Sequence, residues 1–126
     1  MLNSAQLVGF VPTTDITRAS AFYKDVLGLE PDGLSGHAAV FHSGSTTLRV
    51  TTVAELTPHP FTTIGWEVED IAATTAELAA KGVEFKTFPG LGQGANGVWT
   101  TPTGEKVAWF TDPDGNLLSV MEPTGN

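Results

Sequence analysis

Cysteine is absent from this chain of 126 residues. Its absence excludes a disulfide framework, a thiolate nucleophile and any zinc or iron–sulfur centre held by sulfur, and it is consistent with a reducing compartment. Basic residues are scarce: 6 Lys+Arg stand against 14 Asp+Glu, a formal net charge of −8. A phosphate backbone is bound by neutralising its charge, so nucleic acid is not an expected partner. No apolar run approaches the ~20 residues of a membrane span, and the start Met1-Leu2-Asn3-Ser4-Ala5-Gln6 lacks a basic segment followed by an apolar one. These features predict a cytoplasmic protein with no membrane partner. A chain this long buries roughly two-thirds of the surface exposed when unfolded, enough to fold without a metal or disulfide.

What is present is an internal repeat. Leu7-Val8-Gly9-Phe10-Val11 has strand patterning and is followed by Asp15-Ile16 and about a dozen helix-compatible residues ending Val26-Leu27-Gly28. Ile64-Gly65-Trp66-Glu67-Val68, then Asp70-Ile71 and a second such stretch ending Ala80-Lys81-Gly82, repeat the pattern 55 residues later. Asp15 and Asp70 are expected N-caps, and Gly28 and Gly82 stand where a left-handed residue stops a helix. Later strands are expected at Ala38–Phe41 and Thr46–Val53, with a short extended segment near Leu29–Pro31. In the second half they are expected at Val83–Thr87, Val98–Thr101, Lys106–Thr111 and Leu117–Met121. The reading is one α+β domain over 1–126, built of two βαβββ modules, about 1–55 and about 61–124, joined at Thr57-Pro58-His59-Pro60. A helix would cover one face of each half-sheet. The paired modules would then form a concave mixed sheet with the helices on the convex side.

This order resembles the vicinal-oxygen-chelate superfamily, the glyoxalase, bleomycin-resistance and extradiol-dioxygenase group. The resemblance rests on Ala21-Phe22-Tyr23-Lys24-Asp25-Val26-Leu27-Gly28-Leu29 and on Phe110-Thr111-Asp112-Pro113-Asp114-Gly115-Asn116, and it covers nearly the whole chain. It implies the fold and, from family precedent, a homodimer. Metal-dependent members carry His, Gln or Glu at four strand positions that correspond here to Val8, Arg49, Thr63 and Ser119. A divalent cation needs carboxylate or imidazole donors, and a guanidinium would repel it, so no metal and no cofactor are expected.

Other chemical signals are weak. His37 and His42 lie five residues apart, which sends them to opposite faces of a strand, and His59 sits between prolines. Asp112 and Asp114 belong to a turn prescription. Gly92-Gln93-Gly94-Ala95-Asn96-Gly97 has the lettering of a dinucleotide loop, but the strand-like Val98-Trp99-Thr100-Thr101 follows where a helix would be required. A mobile loop is the alternative, and whether the Gly90–Gly97 loop serves as a lid stays open.

Alternation places Leu48, Val50, Ile64, Trp66, Val68, Leu118 and Val120 under the helices. Val8, Phe10, Thr47, Arg49, Thr51, Thr63, Gly65, Leu117, Ser119 and Met121 then fall on the concave face. Arg49 is either an exposed or carboxylate-paired strand residue, or a fork for a ligand carboxylate or enolate. Phe10, Phe41, Trp99 and Trp109 offer stacking surfaces, and Glu67 a polar anchor. Candidate ligand contacts are therefore Arg49, Phe10, Thr63, Phe41, Trp99, Trp109, Ser119 and Met121. The function expected is metal-independent binding of a small hydrophobic or aromatic molecule, drug sequestration being one form of it. The alternative is a metal-independent isomerase, epimerase, cyclase or lyase acting on a carbonyl compound, with Arg49 stabilising an enolate and Glu67 or His37 moving protons.

Overall fold

The computed structural model describes residues 1–125 and divides the chain into two compact units, Met1–Pro58 and His59–Asn126. In the first, a one-turn 3-10 helix at Leu2–Ser4 precedes β1 (Val8–Thr13), α1 (Ile16–Ala21), β2 (Glu30–Leu34), β3 (Ala38–Ser43) and β4 (Thr46–Thr52). The sheet order is β1-β4-β3-β2, with β1 and β4 parallel and the other pairs antiparallel. In the second unit, β5 (Ile64–Glu67), α2 (Ile71–Ala80), β6 (Trp99–Thr100), β7 (Lys106–Thr111) and β8 (Leu117–Glu122) repeat it as β5-β8-β7-β6.

The expected caps are in place. Asp15 Oδ1 accepts from Arg18 N–H and Asp70 Oδ1 from Ala73 N–H, each at 3.1 Å, satisfying first-turn amides that have no partner within the helix. Gly28 and Gly82 have φ of 73° and 95°, the left-handed conformation that closes a helix at little cost only for glycine. The halves differ in their helices. After Ala21 the first helix widens into a π-helical turn, Phe22–Val26, in which Leu27 N–H reaches back five residues to Phe22 O. The second is a regular α-helix, whose N-terminus receives a further acceptor when Glu122 Oε1 takes the Ile71 N–H at 3.0 Å.

Each helix packs on one face of its own sheet. Val11, Tyr23, Ala39, Phe41, Leu48 and Val50 make the first core, and Ile71, Leu78, Ala108, Phe110, Leu118 and Val120 the second. Pairing puts Phe41 beside Leu48 and Phe110 beside Leu118, so these residues share the helix-covered faces assigned by alternation. The strand expected at Val83–Thr87 is reduced to a single bridge, Lys86 to Trp109. The 89–98 loop explains this. Gln93 Oε1 accepts from Phe88 N–H at 2.6 Å, while its Nε2 donates to Lys86 O at 2.9 Å and Gly97 O at 2.7 Å. One amide side chain thus uses backbone groups that a continuing strand would have paired. The glycine-rich segment is a stapled loop that leads into β6, with no helix opening from it.

Candidate functional site

The helix-free face of the second sheet carries an aromatic cluster. Register places Trp109 opposite Ser119, Val107 opposite Met121 and Trp99 opposite Val107, so these side chains share a face. The rings of Trp99 and Trp109 stack with centroids 6.0 Å apart and planes at 27°, and Phe88 meets Trp109 edge-on at 5.3 Å. All three aromatics are half-buried, leaving ring surface accessible. Met121 and Ser119 lie beside them, also half-buried, and Glu67 is exposed at the end of β5, opposite Met121. Ser119 folds back onto β5: a Cβ built on Gly65 would collide with its Oγ, so Gly65 is the residue that admits this hydroxyl. Thr63 lies just before β5, half-buried, its N–H donating to Leu117 O at 2.8 Å.

The helix-free face of the first sheet is charged and open. Arg49 lies mid-β4 between Phe10 on β1 and Val40 on β3. It is exposed, as is Phe10 at 60%, and no described carboxylate of its own module forms a salt bridge with the guanidinium. Two strand positions along the same face, His42 pairs with Thr47 on β4 and with Glu30 on β2. His42 Nε2 lies 2.8 Å from Asp32 Oδ2.

One candidate moves. Phe41 is 1% exposed and packs against Tyr23 with centroids 6.1 Å apart, on the helix-covered face. It is a core residue and leaves the set of ligand contacts, because its partner across the strands, Leu48, already belongs to that face. Two residues that sequence reasoning overlooked join the faces. Phe88 has only its aromatic character as a signal, and Asp32 lies where β2 bulges between Pro31 and Gly33, so strand parity does not place it. The second module also has two concavities of about 330 Å³ each. One lies between α2 and the stapled loop, lined by Ala72, Ala76, Ala79, Phe85 and Asn96, and the other is beside Glu67, Glu69 and Glu122.

The family model described as the glyoxalase/bleomycin resistance protein/dioxygenase superfamily matches residues 4–120. The chain belongs to this superfamily. A solved superfamily member from Sphaerobacter thermophilus superposes with a TM-score of 0.75 at 21% identity, covering 98% of this chain and 100% of that one. Lactoylglutathione lyase from Agrobacterium tumefaciens gives 0.70 at 22% identity, with 94% and 93% covered. A glyoxalase/bleomycin resistance protein/dioxygenase from Nocardioides gives 0.70 at 18%, with 95% and 84% covered. At such identities the likeness is one of fold. A search of curated proteins gave no match.

Within this glyoxalase-superfamily chain, the positions that the motif resemblance assigns to metal ligands carry Val8 and Arg49 in the first module and Thr63 and Ser119 in the second. An aliphatic side chain, a guanidinium and two hydroxyls are not a donor set for a divalent cation. Among the described residues, no group of three His, Asp or Glu side chains is arranged to hold one. These residues do not fit a divalent metal. No helix among the described residues is long and apolar enough to cross a membrane.

Proposed function

We propose that this glyoxalase-superfamily protein binds a small planar hydrophobic or aromatic molecule without a metal, as a sequestering protein of the bleomycin-resistance type. The observation that carries this reading is the half-buried aromatic cluster of Phe88, Trp99 and Trp109 on a sheet face that no helix of its module covers. Small-molecule sites combine such apolar surface with a few polar groups, which Ser119 and Glu67 supply here. The net charge of −8 favours a cationic aromatic over an anionic one through the long-range field. Arg49, exposed on the first module's helix-free face, is proposed as a separate anchor for an anionic oxygen. A cytoplasmic location and a homodimer complete the proposal. The physical reason offered for association is that β1 and β5 are terminal strands of their sheets.

The test is a fluorescence titration with a planar cationic dye and a neutral aromatic of similar size. Binding should quench tryptophan emission, and Trp109→Ala should weaken it about tenfold, or ~1.4 kcal/mol. Equal affinity in the Trp109→Ala and parent proteins would overturn the aromatic site. For an anionic aromatic bound at Arg49, Arg49→Ala should cost roughly 1.5–3 kcal/mol of affinity, and Arg49→Lys should recover only part of it. Metal independence is tested by thermal melts. After chelation, added Mn, Ni or Zn should leave Tm unchanged, because a specific site would stabilise the fold by mass action.

A further inference from the structure

Asn96-Gly97 lies in the stapled loop, and its glycine is obligatory on two counts. Gly97 has a φ of 81°, the left-handed conformation that other residues rarely adopt, and a Cβ built on it would come within 2.7 Å of Phe85 Cβ. Asparagine before glycine is a chemically labile pair, because glycine has no side chain to shield its nitrogen from the carboxamide carbon. The surroundings of Asn96 add to this. Its Oδ1 accepts from Val98 N–H at 3.1 Å, a donor placed on the oxygen that gains negative charge when a nucleophile adds to Cγ. Asn96 is exposed, and no described residue accepts from its Nδ2, so the leaving nitrogen is open to water. Asn116 is the contrary case in the same module. It precedes Leu117, is 3% exposed, and its Nδ2 donates to Asp112 Oδ2 at 2.9 Å, which holds the leaving group in place. We propose that Asn96 is a self-modification site, converting to aspartyl and isoaspartyl residues at a rate set by the Gln93 staple.

In that reaction hydroxide takes the Gly97 N–H proton, and the nitrogen attacks Asn96 Cγ. The new C–N bond closes a succinimide ring. The Cγ–Nδ2 bond breaks, and Nδ2 leaves with the bonding pair and takes a proton from water as ammonia, which returns the hydroxide. Water then opens the ring at either carbonyl, giving aspartate or the isoaspartyl form, so the balance is water consumed and ammonia released. The staple gates the first step. Gly97 N–H donates to Gly94 O at 2.9 Å, and Gly97 O accepts from Gln93 Nε2 at 2.7 Å, so the residue is held at both ends. Its nitrogen is released when the loop opens locally, and Gln93 raises the cost of that opening through its further bonds to Phe88 N–H and Lys86 O. The isoaspartyl product carries an extra methylene in the main chain between positions 96 and 97. Gly97 then cannot both sit against Phe85 and offer its carbonyl to Gln93, so the conversion unlocks the staple irreversibly. It also places a carboxylate beside the cavity lined by Ala72, Ala76 and Ala79.

The test incubates the folded protein at mildly alkaline pH for several weeks and follows the tryptic peptide 87–106, in which Asn96 is the only asparagine and no aspartate occurs. Mass spectrometry should show the amide exchanged for an acid, in two chromatographically separate products, while Asn116 stays intact in its own peptide. Gln93→Ala should quicken the conversion about 5–30-fold, the effect of removing bonds of this strength from an opening equilibrium. Asn96→Ser keeps a hydroxyl that can accept from Val98 N–H, so it should give no product and hold its Tm through the incubation. The isoaspartyl fraction of the parent should melt about 4 °C lower than fresh protein. No conversion at Asn96 in the folded parent, or an equal rate in folded Gln93→Ala, would overturn the proposal. Dye quenching reads the tryptophan cluster separately, so failure here leaves the binding reading standing, and the reverse holds too.

Discussion

The two modules carry the same strand order and the same Asp cap, yet they fill one topological station in opposite ways. On the helix-free face of the first, Phe10 stands opposite Arg49, two of the longest side chains of the sheet, both exposed. Fifty-five residues on, the equivalent of Phe10 is Gly65, and it stands opposite Ser119, whose hydroxyl lies in the space a Cβ would need. The duplicated part of the molecule is its backbone and helix-side core. The faces left to chemistry have diverged, one toward charge and the other toward packed aromatics.

The largest expected effect that tests this contrast is Gly65→Ala. Its Cβ would overlap Ser119 Oγ, and overpacking of this kind costs roughly 1–3 kcal/mol. Adding Ser119→Ala should return most of the loss. Phe10→Ala, at the equivalent station, should change stability by no more than about 0.5 kcal/mol, as exposed substitutions do. Urea midpoints for the three variants decide the matter, and similar losses at Gly65 and Phe10 would break the comparison. Next is Gln93→Ala, which frees the Phe88 N–H and two carbonyls at once. A cost of about 1–2 kcal/mol is expected, since water can reach the opened loop. Hydrogen exchange at Phe88 should quicken while amides of β1 and β4 keep their protection. The smallest effect is electrostatic. Thr101 and Thr103 hydroxyls donate to the Glu105 carboxylate, and these bonds hold its pKa below the usual value. A depressed carboxyl pKa contributes stability above the ordinary value, and that contribution is lost as pH falls through the lowered one. Thr103→Val should move the Glu105 titration upward in a carbon-detected NMR series, leaving the first module's carboxylates unmoved.

Much of the scaffold was legible because it is local. Asp15 and Asp70 lie one residue before their helices, Gly28 and Gly82 just after them, and strand parity sorted Leu48 and Val50 from Arg49 without any long-range information. The errors share a cause, which is cross-strand register. By residue type alone Phe41 is a candidate accessible aromatic, while alternation puts Leu48 under the helix, and only the β3–β4 pairing joins those two facts. Val83–Thr87 has strand propensity, but its pairing is displaced by a side chain, Gln93, that no periodicity describes. His42 and Asp32 meet across a bulge, so no fixed spacing announces them.

The wide turn at Phe22–Val26 makes the two halves unequal toward changes in chain length. A π turn spends one residue more than an α turn to close its ring, and each helical residue rotates the chain by about 100°. Deleting one residue there would let an ordinary α-helical ladder form, so the loss would fall on the direction in which Val26 and Leu27 point rather than on backbone hydrogen bonding. The same deletion in α2 has no such slack: it would turn Leu78 away from the core and displace the Gly82 stop. Single-residue length variation should therefore be accommodated in the first helix and rejected in the second.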